Sequence, residues 1–203
     1  MKKIASFVGL IGLAACGGSG GPVTTAAELN NSINELNELA EISRASDRLT
    51  VQPAGDATYS GTALAFAGTL DAPGFGAVGD LNVKVDFDGA LEGAATDFIL
   101  IEDPGQLNFD DDALDASQFV EAGRLEGQFD LTGDAFGASE PGVFEVRVDG
   151  LIEGDGGFLE LDDVAGEAFV LGSNQEIITV AAETELTFDG EPGFGLFVAI
   201  GGQ

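Results

Sequence analysis

Residues 81–89 read LNVKVDFDG, and their alternation decides the fold class. Leu81, Val83, Val85 and Phe87 fall on one side of an extended chain, Asn82, Lys84, Asp86 and Asp88 on the other. Successive side chains of a strand point to opposite faces, so this period of two predicts a half-buried β-strand. Asp88-Gly89 follows as a residue pair suited to left-handed turn conformations, the signal of a hairpin. The stretch VFEVRVDG at 143–150 repeats the alternation and also ends in Asp-Gly. The match runs on: DGALEG at 88–93 and DGLIEG at 149–154 stand 61 residues apart, with LEGQF at 125–129 and LTFDG at 186–190 as partial echoes. A duplicated hairpin unit and independent convergence of Asp-Gly hairpins on such strings both account for it.

Working outward, strand patterns recur at 57–69, 94–101, 106–110, 119–132, 157–161, 166–171, 176–187 and 194–200, separated by glycine-rich turns. Eight to ten antiparallel strands of this kind predict a mainly β fold, a small antiparallel β-barrel of about eight strands over residues 50–203. Closure would remove the strand edges that otherwise invite aggregation. Before residue 50 the period changes. Thr25 and Glu28 form a T-x-x-E capping box ahead of Leu29, Ile33, Leu36, Leu39, Ala40 and Ile42 at helical spacing. Asn30, Asn31, Asn34 and Asn37 occupy the opposite face of this amphipathic helix, placed at 25–48. It serves either as a partner-binding or coiled-coil helix, or as a helix packed on its own domain or on lipid-anchored neighbours. The second use is the simpler expectation.

The chain opens with Lys2 and Lys3, followed by the apolar run IASFVGLIGLAA, too short to span a bilayer and of the length of a signal-peptide core. The run ends in Leu13-Ala14-Ala15-Cys16, which resembles the lipobox of bacterial lipoproteins. That resemblance implies a lipoprotein signal peptide at 1–15, cleavage before Cys16, a diacylglycerol thioether on Cys16 and acylation of the new amino terminus. Gly17 stands where an aspartate would mark retention at the inner membrane, so the same resemblance implies the outer membrane. The sequence leaves the surface and periplasmic orientations open. Residues 16–24 begin CGGSGGP, a flexible Gly/Ser tether. A cysteine flanked by glycines has no core to enter, and as the only cysteine in the chain it has no partner for an internal disulfide.

Composition narrows the chemistry. The 203 residues carry 36 acidic and 7 basic side chains, a net charge of −29; removing residues 1–15 leaves 5 basic against 36 acidic, or −31. Such a surface repels phosphate backbones and excludes nucleic acid as a partner. It suits basic protein patches, divalent cations or a salty medium, and its simplest role is solubilising. Histidine is absent and Cys16 is the sole thiol, so His-based catalysis and His/Cys metal or haem sites are ruled out. A metal would have to be Ca²⁺ or Mg²⁺ held by carboxylates and carbonyls.

The strings YSGTALAF, GDLNVKVDFDGALEG, RLEGQFDLTGDAFG and GFGLFVAIGG resemble the eight-stranded barrels of transferrin-binding protein B lobes and of factor H-binding protein. The resemblance covers residues 57–203 and rests on Gly and Phe at strand ends. Those proteins also begin with a lipobox and a Gly/Ser tether. It implies a surface-anchored barrel that binds a protein or small solute. The handle domains and long basic loops of the large lobes are missing here, so transferrin recognition and individual binding residues do not carry over.

The acidic clusters are the remaining candidates for chemistry. FDDDALD supplies Asp110, Asp111, Asp112 and Asp115; ELDD supplies Glu160, Asp162 and Asp163. DFDG at 86–89 opens like a calcium loop but lacks the ligand before Gly and the distal Glu. Solvated turns are the better expectation for all three, and no metal residue is assigned. No nucleophile elbow or phosphate loop occurs, and with 36 acids a carboxylate pair carries no information, so no catalytic residue and no cofactor beyond the covalent lipid is expected. A membrane-spanning barrel would show Tyr and Trp girdles; the chain has one Tyr and no Trp. The expected function is that of an outer-membrane lipoprotein acting as a binding module. A structural envelope lipoprotein with no ligand, its helix used for self-association, is the alternative.

Overall fold

The computed structural model describes residues 25–69, 72–102, 114–136, 139–155, 157–188 and 191–203. One helix, α1 (Thr25–Ala45), precedes nine strands: β1 (Asp56–Thr69), β2 (Ala72–Asp86), β3 (Ala90–Glu102), β4 (Val120–Arg124), β5 (Glu126–Ala135), β6 (Val143–Gly154), β7 (Gly157–Leu171), β8 (Ile177–Phe188) and β9 (Glu191–Gly202). Every pairing is antiparallel, and the order β2-β1-β9-β8-β7-β6-β5-β3 closes on itself through β2–β3. Each strand pairs with its neighbours in sequence, except that β4 and β5 both pair with β3; the closing seam joins β1 to β9, Ser60 opposite Gly202 through Gly68 opposite Phe194. The result is a closed, eight-stranded, up-and-down barrel, with β4 as a short outgrowth on the last residues of β3.

The period of two that predicts the strands also fills the barrel. Val83, Val85, Leu91, Phe98, Phe129, Phe144, Val146, Val148, Ile152 and Phe197 all point inward and are buried. Phe129 meets Phe98 and Phe197 edge-on at centroid distances of 5.5 and 5.8 Å. An eight-stranded barrel is just wide enough for side chains to fill, so this one is a packed core and not a pore. Outward positions carry acids: Asp130, Asp134, Glu145, Asp149 and Glu167 are all exposed. One sector differs. Leu64, Phe66, Val78, Ile99, Ile101, Ile177 and Ile200 point outward and are nevertheless buried, because α1 covers them with Leu29, Ile33 and Leu36. The helix therefore packs on its own domain. Ile42, placed in the same stripe by spacing, lies past the covered sector and is 46% exposed.

Several sequence expectations need correction. The Asp88-Gly89 pair does make the β2–β3 turn, but neither residue enters the left-handed region. Instead Asp86 Oδ1 accepts from the Asp88 N–H at 3.0 Å, and the Asp86 carbonyl accepts from Gly89 N–H at 3.1 Å. The Asp149-Gly150 pair is no turn at all. It lies inside β6, where the register with β7 shifts between Val148 and Gly150. Gly150 has φ +147°, and a Cβ there would lie 2.2 Å from the Gln128 carbonyl oxygen on β5. The bulge uses the glycine that a hairpin would have used. The single strand expected at 119–132 divides at Leu125, whose N–H donates to the Phe98 carbonyl at 2.9 Å. The strands expected at 157–161 and 166–171 are one, β7. The Glu28 carboxylate of the expected capping box is ion-paired with Arg124 of β4. The strand expected at 106–110 lies outside the described residues.

Candidate functional site

Cys16 and the preceding Leu13, Ala14 and Ala15 lie outside the described residues, as do Asp110, Asp111 and Asp112. Asp115 caps the 3-10 turn Ala116–Gln118, its Oδ1 accepting from Ser117 N–H at 3.0 Å and from Ser117 Oγ at 2.7 Å. Asp163 stands on β7 with φ +50°, its carboxylate 3.5 Å from Arg147 Nη1 and its N–H donating to Asp149 Oδ2 at 3.4 Å. Arg147 also reaches Glu145 at 3.4 Å. The contacts of Asp163 stitch β6 to β7. Glu160 and Asp162 are exposed outward positions of the same strand. Among the described residues, no group of three or more Asp, Glu, His or Cys side chains is arranged to hold a metal ion.

One end of the barrel is spanned by the segment between α1 and β1. The Asp47 carbonyl accepts from Gly172 N–H at 2.9 Å, and the Arg48 guanidinium lies 4.7 Å from the centre of the Phe169 ring. Leu49 packs on the barrel core. Gln52 bridges two turns: its Nε2 donates to the Phe87 carbonyl, and its Oε1 accepts from Gly142 N–H at 3.0 Å. Near this end Tyr59 is wholly buried and its hydroxyl has no hydrogen bond of normal geometry. Burial pushes that hydroxyl far above the usual tyrosine range, opposed by the nearby Gln203 side chain and reinforced by Glu176. Glu176 itself is held below the ordinary carboxylate range, first by its own backbone N–H and then by Asn174.

Two grooves lie toward the other end. The first, of about 510 Å³, runs between α1 and the barrel and is lined by Glu28, Glu35, Asp80, Asp97 and Arg124. Partial burial raises the Asp80 carboxyl, and the neighbouring Asp97 adds to the shift. The second, of about 700 Å³, lies between β4 and the β6–β7 hairpin. Phe158, 67% exposed, forms one wall of it, and Leu151, 38% exposed, sits on the adjacent outward position of β6. Sequence reasoning passed over this second groove. The available signal is phase: Phe158 and Leu151 occupy the polar phase of strands whose inward residues are Leu159, Leu161 and Ile152. Asn37 is a second omission. Grouped with the solvent-facing asparagines, it instead holds Leu114 like a strand partner, donating to its carbonyl at 2.7 Å and accepting from its N–H at 2.9 Å.

No family model matches the chain, and no curated protein matches it.

Proposed function

We propose that the chain is an outer-membrane lipoprotein, anchored through a diacylglycerol thioether and an amino-terminal acyl group on Cys16, whose barrel is a binding module for a partner protein. The observation that carries this is the order of elements at the start of the chain: Lys2-Lys3, an apolar run, Leu13-Ala14-Ala15-Cys16, and a glycine-rich tether leading to a domain. Each buried methylene contributes about 0.8 kcal/mol, so several acyl chains together make attachment stable where one chain alone would be reversible. Binding, rather than catalysis, suits a chain with no histidine and one thiol committed to lipid. The barrel interior is filled by phenylalanines and aliphatic side chains, which favours a protein partner held on the outside over a small solute held within. The likeness to transferrin-binding protein B lobes agrees with this reading and rests on the strand motifs alone. Self-association through α1 is the weaker alternative, because Leu29, Ile33 and Leu36 are already used against the barrel.

Cys16→Ser tests the anchor. Expressed in a Gram-negative host with labelled palmitate, the native chain takes up label and sediments with outer membranes, and the variant does neither. A variant that still sediments with membranes overturns the anchor. Protease added to intact cells tests orientation. Degradation of the barrel agrees with a surface binder; protection, together with no protein retained from medium or cell extract, leaves the structural envelope role.

A further inference from the structure

We propose that the groove between β4 and the β6–β7 hairpin docks an extended, cationic segment of a partner protein, which adds as a strand to β4 and lays a basic side chain on Phe158. The inference rests on the binding-module reading and supplies its site and the chemistry of its partner.

Three features converge there. The floor is apolar: Leu100 and Leu125 form it, each 7% exposed, with Phe158 rising beside them. The rim is acidic, from Glu126, Glu153 and Asp155, all exposed. Glu126 stands directly opposite Glu153 across the β5–β6 ladder, and Glu153 opposite Phe158 across β6–β7. Like charges placed opposite each other on a sheet repel. Among the described residues no basic side chain lies within ion-pairing distance of either one. The groove's own cation, Arg124, is taken by Glu28 of α1.

The third feature is a strand edge. Among the described residues β4 is paired on one side only, to β3. Natural edges are blunted by lysine, proline, bulges, shortness or a covering element; β4 reads VEAGR, short and with its register on β3 shifted at Ala122, but it has neither lysine nor proline, and its Arg is turned to the helix. Ala122 and Gly123 line the groove on this edge, and a Cβ at Gly123 would meet nothing within 4 Å, so another backbone has room to approach. Main-chain pairing to such an edge, with side-chain pockets alongside, is an established mode of peptide capture.

Charge selects the occupant. A lipid headgroup or nucleic acid would bring phosphate to a rim of carboxylates, and a second copy of this chain would bring another 36 acids against it. A basic segment instead relieves the Glu126–Glu153 repulsion and is steered in by the net field. Phe158 offers its ring face to a guanidinium. The same strand already shows that contact, with Arg48 on Phe169.

The test uses the whole chain in mild detergent and three acetylated, amidated hexapeptides: alternating Arg and Val, alternating Glu and Val, and the Arg-Val peptide with a central proline. The Arg-Val peptide binds, the Glu-Val peptide does not, and proline weakens binding about tenfold by removing a ladder donor. The E153K/D155K double variant lowers Arg-Val affinity at least about tenfold, and Phe158→Ser lowers it about fivefold, both without loss of thermal stability. Amides of residues 120–123 gain protection from hydrogen exchange. Equal binding of the proline peptide, native affinity in E153K/D155K, or protection confined to other strands overturns the proposal. So does self-association, measured by sedimentation, that Phe158→Ser abolishes, since the occupant is then a second copy. Cys16→Ser leaves peptide binding unchanged, so failure of the anchor and failure of the groove read out separately.

Discussion

Gly150 and Gly123 both carry φ near +145°, yet their surroundings differ. At Gly150 an added methyl meets the Gln128 carbonyl and the Phe129 backbone; at Gly123 it meets nothing. Gly150→Ala is expected to destabilise by about 2–4 kcal/mol, strain plus backbone collision, and Gly123→Ala by about 1–2 kcal/mol from strain alone. Urea denaturation of the two variants side by side measures the difference, and equal losses would show that the bulge tolerates a shift. Asp80 gives a pH-dependent prediction. Its carboxyl is raised by partial burial and by Asp97, so the folded state holds the proton more tightly than the unfolded state does. Below the unfolded carboxylate range the group is neutral in both states and there is no penalty. As pH rises through the raised folded value, the penalty appears and persists. Asp80→Asn therefore stabilises at pH 7, by on the order of a few tenths of a kcal/mol for so exposed a group, and gains nothing near about pH 3. Equal gains at both pH values would point to packing, not charge.

At the scale of elements, α1 buries three apolar side chains, Leu29, Ile33 and Leu36, against the barrel. Ile33 is fully buried against the outside of the barrel, whereas Ile42 is half exposed on the same helix. Ile33→Ala is expected to cost about 2–4 kcal/mol and Ile42→Ala less than about 0.5 kcal/mol in chemical denaturation. Matching losses would mean that the helix contributes only through its propensity. The helix and eight of the strand segments were legible because each writes its own period, 3.6 or 2, into the sequence. What escaped depends on neighbours distant in the chain. FVEAGRLEGQFDLT at 119–132 runs on as one strand by pattern, and only the Phe98 carbonyl, which receives the Leu125 N–H, shows where it divides. DGLIEG resembles DGALEG letter by letter, but β5 and β7 flank DGLIEG on both sides and keep it extended through the bulge. The candidate groove joins β4 to a hairpin some thirty residues further on, and only Phe158 out of phase marked it. Asn37 finds Leu114 across 77 residues, which no local pattern encodes.

Across the whole molecule the acids are aligned as well as numerous. Asp134, Glu145 and Glu167 stand opposite one another on β5, β6 and β7, and Asp130 faces Asp149 four residues further along the β5–β6 ladder. Arg147 stands between the two rows and reaches Glu145 and Asp163. The screening length falls from ~30 Å at 0.01 M to ~3 Å at 1 M salt, so the repulsion is strongest in dilute buffer. The melting temperature is expected to rise by on the order of 5 °C between those limits, and Asp134→Asn to flatten the rise. A melting temperature indifferent to salt would mean that the rows are already neutralised. The seam between β1 and β9 carries a further consequence, one of order in time. Ser60 finds Gly202 only after the chain between them has been laid down. Until then β1 and β8 each keep one side open, and the barrel waits as a curled ribbon with two adhesive margins. Closing a loop of that length is slow compared with forming any one hairpin. The last strand is therefore the latch: only when β9 lies against β1 does the ribbon become a sealed body.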